Sequence, residues 1–112
     1  MFDLRSVPRY EDMDVAASMI QGWRDERAKA VFEGRNPGKG FPGDLIGPAR
    51  RRLAQLNAAV AVEDMRAPPG NALHRLTDDR DGQWTVKVND QFRICFVWGA
   101  NGPDAVEIVD YR

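Results

Sequence analysis

Residues 83–98 read QWTVKVNDQFRICFVW, and this stretch decides the fold. Trp84, Val86 and Val88 alternate with Thr85, Lys87 and Asn89. That period of two predicts a strand over 83–88 with one apolar and one polar face. Residues 92–98 repeat the pattern, with Phe92, Ile94, Phe96 and Trp98 on one side and Arg93, Cys95 and Val97 on the other. Asn89 and Asp90 between the runs supply turn chemistry, so the pair reads as an antiparallel hairpin. On the C-terminal side, 99–104 predicts a turn and 105–111 a last strand. On the N-terminal side, the TDDRDG run at 77–82 is dense in turn residues. It is preceded by a candidate strand at 72–76 with either Leu73 or His74 turned inward.

Further upstream the period changes to a helical one. Over 24–33, Ala28, Val31 and Phe32 fall at i, i+3 and i+4, Asp25 and Glu26 lie in the first turn, and Gly34 is the expected stop. A Gly- and Pro-rich loop at 36–43 leads to a second helix at about 44–57. Its stripe is Ile46, Ala49, Leu53 and Leu56, and Pro48 is tolerable only near the first turn. Residues 58–65 either extend this helix or form a short separate one. Residues 19–23 predict a short first strand. Helices followed by consecutive antiparallel strands give an α+β class, a small domain with its helices on one face of a twisted sheet of four to five strands. The other face keeps Lys87 and Arg93 as polar alternates, joined by His74 if Leu73 is the inward residue, a place able to hold a phosphate backbone.

Composition bounds the function. The chain has 112 residues, 43% hydrophobic and 29% charged, which fits one globular domain. Lys plus Arg is 16 and Asp plus Glu is 17. The resulting −1 argues by itself against a nucleic-acid binder. The balance is uneven, however. Asp3, Glu11, Asp12 and Asp14 outweigh Arg5 and Arg9 in the first 18 residues, so the rest of the chain is slightly basic. Residues 1–18 read as an extension outside the core, and 19–112 as the domain. A single cysteine, Cys95, excludes an internal disulfide, and with the single His74 it offers too few soft ligands for structural zinc. The expectation is a reducing, cytoplasmic setting with no membrane segment.

Six collinear stretches resemble one family: NPGKGFP at 36–42, PARRRLAQLNAA at 48–59, PPGNAL at 68–73, DRDGQW at 79–84, VNDQFRICF at 88–96 and VEIVDY at 106–111. Together they are similar to the HigB-type toxins of the RelE/ParE superfamily, from bacterial type II toxin–antitoxin modules. Members typically begin with an M-I-x-x-[FW] strand, here Met19-Ile20-Gln21-Gly22-Trp23. The resemblance implies a RelE-like fold and ribosome-dependent cleavage of mRNA. It implies a helix-turn-helix, HigA-like antitoxin encoded nearby, with operator DNA met only through that antitoxin.

Cleavage by the RNA's own 2′-hydroxyl requires proton transfer and stabilisation of a developing phosphorane, with no metal or cofactor. The resemblance assigns His74 as general acid or base, Arg93 as the clamp on the scissile phosphate, and Tyr111 as a group that orients a base or shares in proton transfer. Read alone, His74 is a partly buried strand histidine with no role, Arg93 a candidate cross-strand ion pair and Tyr111 a core or edge aromatic. Lys87 and Arg112 are expected to bind RNA. Arg50, Arg51 and Arg52, with Lys39 and Arg35, are expected to dock on ribosomal RNA, against the plain alternative of a solvated helix face. Two positions depart from the family pattern: Thr77 stands where a Lys is frequent, and Arg112 where the chain usually ends in His. Two other functions remain open, a ParE-like inhibitor of DNA gyrase and a weakened toxin acting as corepressor. Trp23, Trp84 and Trp98 are expected in the core, Cys95 as a small strand residue, and Asp78, Asp79 and Asp81 as turn residues.

Overall fold

The structure is a computed structural model that describes residues 19–111. The expectations for residues 1–18 and for Arg112 lie outside the described residues.

Helix α1 spans Glu26–Glu33. The Asp25 carboxylate caps it by accepting from the Arg27 amide at 2.9 Å, and its other oxygen accepts from the Ile108 amide at 3.2 Å. One side chain thus starts the helix and ties it to the last strand. Gly34 stops it at φ 78°, a left-handed geometry that glycine adopts without strain. A short 3-10 turn, Gly43–Leu45, feeds helix α2, Ile46–Ala58, which keeps Pro48 inside the first turn, where its missing amide is no loss. Residues 58–65 do not extend α2: a separate 3-10 turn, Val62–Arg66, forms, and its Asp64 carboxylate accepts from the Val60 amide at 2.9 Å.

Four strands follow: β1 His74–Arg75, β2 Gln83–Lys87, β3 Phe92–Gly99 and β4 Gly102–Asp110. They form one antiparallel sheet in sequence order. Residues 19–23 do not form a full strand. They make a single parallel bridge, Trp23 to Val106, with the Gln21 amide donating to the Pro103 carbonyl at 2.8 Å and the Arg24 amide to the Val106 carbonyl at 2.9 Å.

The last strand begins earlier than the sequence suggests. Asn-Gly-Pro-Asp reads as turn, but Gly99 pairs with Gly102 and Trp98 with Pro103, so only two residues form the turn. A β-bulge explains how the strand keeps its faces. Cys95 pairs with Glu107 and Val97 with Asp104, leaving one β3 residue opposite two on β4, with Ala105 at φ 51°. The extra residue turns Val106 and Pro103 to the same side of the sheet.

The core lies between the helices and one sheet face. Ala28, Val31, Ala49, Leu53 and Leu56 meet Val86, Ile94, Phe96, Val106 and Ile108, all buried. Trp23, Trp84 and Trp98 pack partly buried against this cluster, and Trp23 lies 5.6 Å from Phe32, ring to ring. Among the described residues no helix is long and apolar enough to cross a membrane.

Candidate functional site

The register builds the opposite face of the sheet. His74 pairs with Thr85, Thr85 with Cys95 and Cys95 with Glu107, so one row crosses all four strands. The next row holds Lys87, Arg93 and Val109. Directly paired residues share a face, so His74, Lys87 and Arg93 stand on the side away from the helices. Strands lie about 4.8 Å apart and same-face neighbours about 6.8 Å apart. By that spacing the His74 and Arg93 backbones are roughly 12 Å apart, close enough for both side chains to reach one phosphodiester.

His74 and Arg75 are both exposed on the short strand β1, and Leu73 is the residue that turns partly into the core. Of the two inward candidates, Leu73 is therefore the correct one. Among the described residues no hydrogen bond or ion pair holds the His74 ring. The loop that delivers β1 is pinned by Asn71, whose buried Nδ2 donates to Gln55 Oε1 at 3.0 Å, the Met65 carbonyl at 3.1 Å and the Ala67 carbonyl at 3.2 Å.

Arg93 lies over the Tyr111 ring, its guanidinium carbon 5.2 Å from the ring centroid. Tyr111 is exposed, and its amide donates to the Gln91 carbonyl at 2.6 Å. The pair is a cation–π contact that limits where the guanidinium points. Lys87 forms an ion pair with Asp90 at 3.0 Å, though Asp90 is fully exposed, so the pair opens readily to a stronger anion.

The face is not polar throughout. Thr85 and Cys95 are buried, and the Cys95 thiol lies 3.9 Å from the Thr85 hydroxyl. Burial pushes the thiol above its ordinary pKa, while the Thr85 bond and the positive charge of Arg80 oppose this. Arg80 folds back over this row and donates to Gln83 Oε1 at 3.0 Å and Glu107 Oε2 at 3.2 Å. The bond to Glu107 holds the guanidinium proton more firmly than usual.

The expected docking cluster divides. Arg50 Nε donates to the Val31 carbonyl at 3.1 Å at the end of α1, and Arg52 Nε to the Lys87 carbonyl at 3.2 Å at the end of β2. Both fasten α2 to its neighbours. Arg51 and Lys39 are exposed and have no partner among the described residues. Arg35 pairs with Glu33 at 2.8 Å. Thr77 is exposed.

Reading the sequence did not single out Arg24, Arg80, Glu107 or Asn71. The alternation of β4 does place Glu107 opposite to Val106 and Ile108, so its outward direction was available. The return of Arg80 from a turn was not.

The family model described as the RelE-like toxin of the type II toxin–antitoxin system HigB matches residues 21–112. Toxin HigB-1 of Vibrio cholerae is 30% identical over 80 residues, which cover 71% of this chain and 84% of that protein. An uncharacterized protein of Haemophilus influenzae is 24% identical over 79 residues, 70% of this chain and 78% of its own.

Proposed function

The chain belongs to the RelE-like HigB toxins of type II toxin–antitoxin systems, and from that membership we propose that it is a ribosome-dependent endoribonuclease that cleaves mRNA and stops translation. The observation that carries the reading is the common face of His74, Lys87, Arg93 and Tyr111 set by the sheet register and the 5.2 Å Arg93–Tyr111 contact.

In this mechanism the RNA 2′-oxygen attacks the adjacent phosphorus. The P–O2′ bond forms, the P–O5′ bond breaks, and a 2′,3′-cyclic phosphate results. His74 is the group able to exchange a proton near neutral pH, as base toward the 2′-hydroxyl or acid toward the leaving 5′-oxygen. Arg93 holds the non-bridging oxygens with its planar fork and offsets the phosphorane charge. Tyr111 orients Arg93 through its ring and offers a surface for a base. Lys87 and Arg112 add charge for the flanking backbone. The nucleophile belongs to the substrate, so the chemistry calls for no metal.

Docking on the ribosome relies on clustered cations, because the net charge is −1. Arg51 in α2 and Lys39 in the loop before it supply the exposed ones, and Arg50 and Arg52 flank Arg51 with each Nε held by a backbone carbonyl. The family implies an antitoxin partner, and a HigA-like helix-turn-helix protein is the one proposed, with operator DNA bound through it. The cytoplasm is the proposed compartment.

Primer extension on cellular mRNA after induction without antitoxin tests the reading. Cuts within translated codons are expected. A DNA-damage response without cuts supports gyrase inhibition instead, and uninterrupted growth supports a corepressor.

A further inference from the structure

A second cationic group shares the face and has no role in the mechanism above. Arg80 Nη1 donates both to Gln83 Oε1 at 3.0 Å and to Glu107 Oε2 at 3.2 Å. Arg24 Nη1 lies 3.5 Å from the same Glu107 oxygen. Two guanidiniums share one carboxylate, so the group keeps one net positive charge. The Glu107 side chain is only 14% exposed, while those of Arg80 and Arg24 are 40% and 52% exposed. Among the described residues Nε and Nη2 of Arg80 have no partner.

The guanidinium is therefore fixed through one nitrogen while other donors of its fork remain for an anion. Its ordering is achieved before any ligand arrives, which lowers the entropic cost of binding. Position agrees with this. Glu107 stands in the row of His74, Thr85 and Cys95 and lies diagonal to Arg93, one strand across and one same-face step along. Thr77 leaves the 76–82 loop without the lysine frequent in the family, and Arg80 is the cation that this loop brings onto the face.

We propose that Arg80, with Arg24 beside it, forms a second phosphate site that holds the mRNA linkage next to the scissile one. The inference rests on the nuclease reading. Its ligand is the RNA phosphodiester, and its specificity-setting part is the geometry fixed by Glu107 and Gln83.

The test uses the full chain on ribosomes programmed with a short mRNA. One uncharged methylphosphonate linkage is walked through the positions flanking the cut, and single-turnover cleavage is measured for the wild type and Arg80→Ala. On unmodified mRNA, Arg80→Ala should cut roughly 10- to 100-fold more slowly, the worth of a charge-assisted contact. At one adjacent position the neutral linkage should slow the wild type by a similar factor and leave Arg80→Ala no slower than before. Equal slowing of both proteins at every position overturns the proposal, as does wild-type speed in Arg80→Ala. If circular dichroism shows that Arg80→Ala is unfolded, Arg80→Lys takes its place. It keeps the charge and loses the fork, and must show weakened coupling at that same linkage or the proposal falls. A wild type that leaves unmodified mRNA intact overturns the nuclease reading itself, a result distinct from any of these.

Discussion

The two faces of the sheet are made by the same strands and follow different rules. The inner face is held by burial: Val86, Ile94, Phe96, Val106 and Ile108 meet helices α1 and α2 and exclude water. The outer face is held by register and charge: His74, Lys87, Arg93 and Glu107 come from four different strands and share a face because the strands pair as they do, and Arg80 joins them through Glu107. Burial is indifferent to which apolar residue fills a site of given volume, whereas the outer arrangement depends on particular atoms. The faces should therefore fail differently.

The largest effect is expected on the inner face. Phe96→Ala removes the largest fully buried side chain and should cost about 3–5 kcal/mol in urea or guanidinium unfolding. Next comes Arg93→Ala, which should change stability by less than about 1 kcal/mol. It should nonetheless reduce mRNA cleavage by roughly 10²–10³-fold, as loss of a transition-state donor does. A variant that lost both together would erase the distinction between the faces.

Glu107→Ala sharpens the comparison, because it leaves Arg24 and Arg80 without their shared carboxylate. A loss of about 1–3 kcal/mol in thermal unfolding is expected, less than for a deeply buried pair since both arginines are partly exposed. Tyr111→Phe gives a smaller effect still. The ring is what lies over Arg93, so cleavage should stay within about threefold of wild type, while Tyr111→Ala falls further. A collapse of activity in Tyr111→Phe would assign the hydroxyl to proton transfer.

Cys95 checks the buried part of the outer face. Its thiol is raised by burial, so it resists alkylation at pH 8.5, where an ordinary exposed thiol is about half ionised. The raised value stabilises the fold fully below the ordinary thiol pKa, and that contribution fades as pH rises through the folded value. Stability measured from pH 8 upward should show a small decline that Cys95→Ser lacks.

Much of the inner face was legible in the sequence. The alternation over 83–98 fixes which residues turn inward, and the stripe Ala49, Leu53 and Leu56 marks the helix that covers them. The start of β4 is not legible, because Asn101, Gly102 and Pro103 carry turn chemistry while a bulge at Ala105 lets the strand begin at Gly102. On the outer face, alternation gave directions and not neighbours. It turned Lys87 and Arg93 outward, but the pairing of Lys87 with Arg93 needs the register, and the ring of Tyr111 under Arg93 needs the path of the chain past β4. Arg80 was hidden because a turn has no period. The arginines at 50–52 read as one group available for docking, since a helix position does not disclose that the carbonyls of Val31 and Lys87 lie within reach of two of them.

The most direct test of the outer face as a cleavage site is a reconstituted one. Purified protein and His74→Ala are incubated with ribosomes carrying a defined mRNA, and the cut ends are mapped. The account predicts cuts within the decoded codon by the wild type, ending in a 2′,3′-cyclic phosphate, and their loss by two orders of magnitude or more, roughly, in His74→Ala. Intact mRNA with the wild type, or equal cutting by a folded His74→Ala, would contradict it.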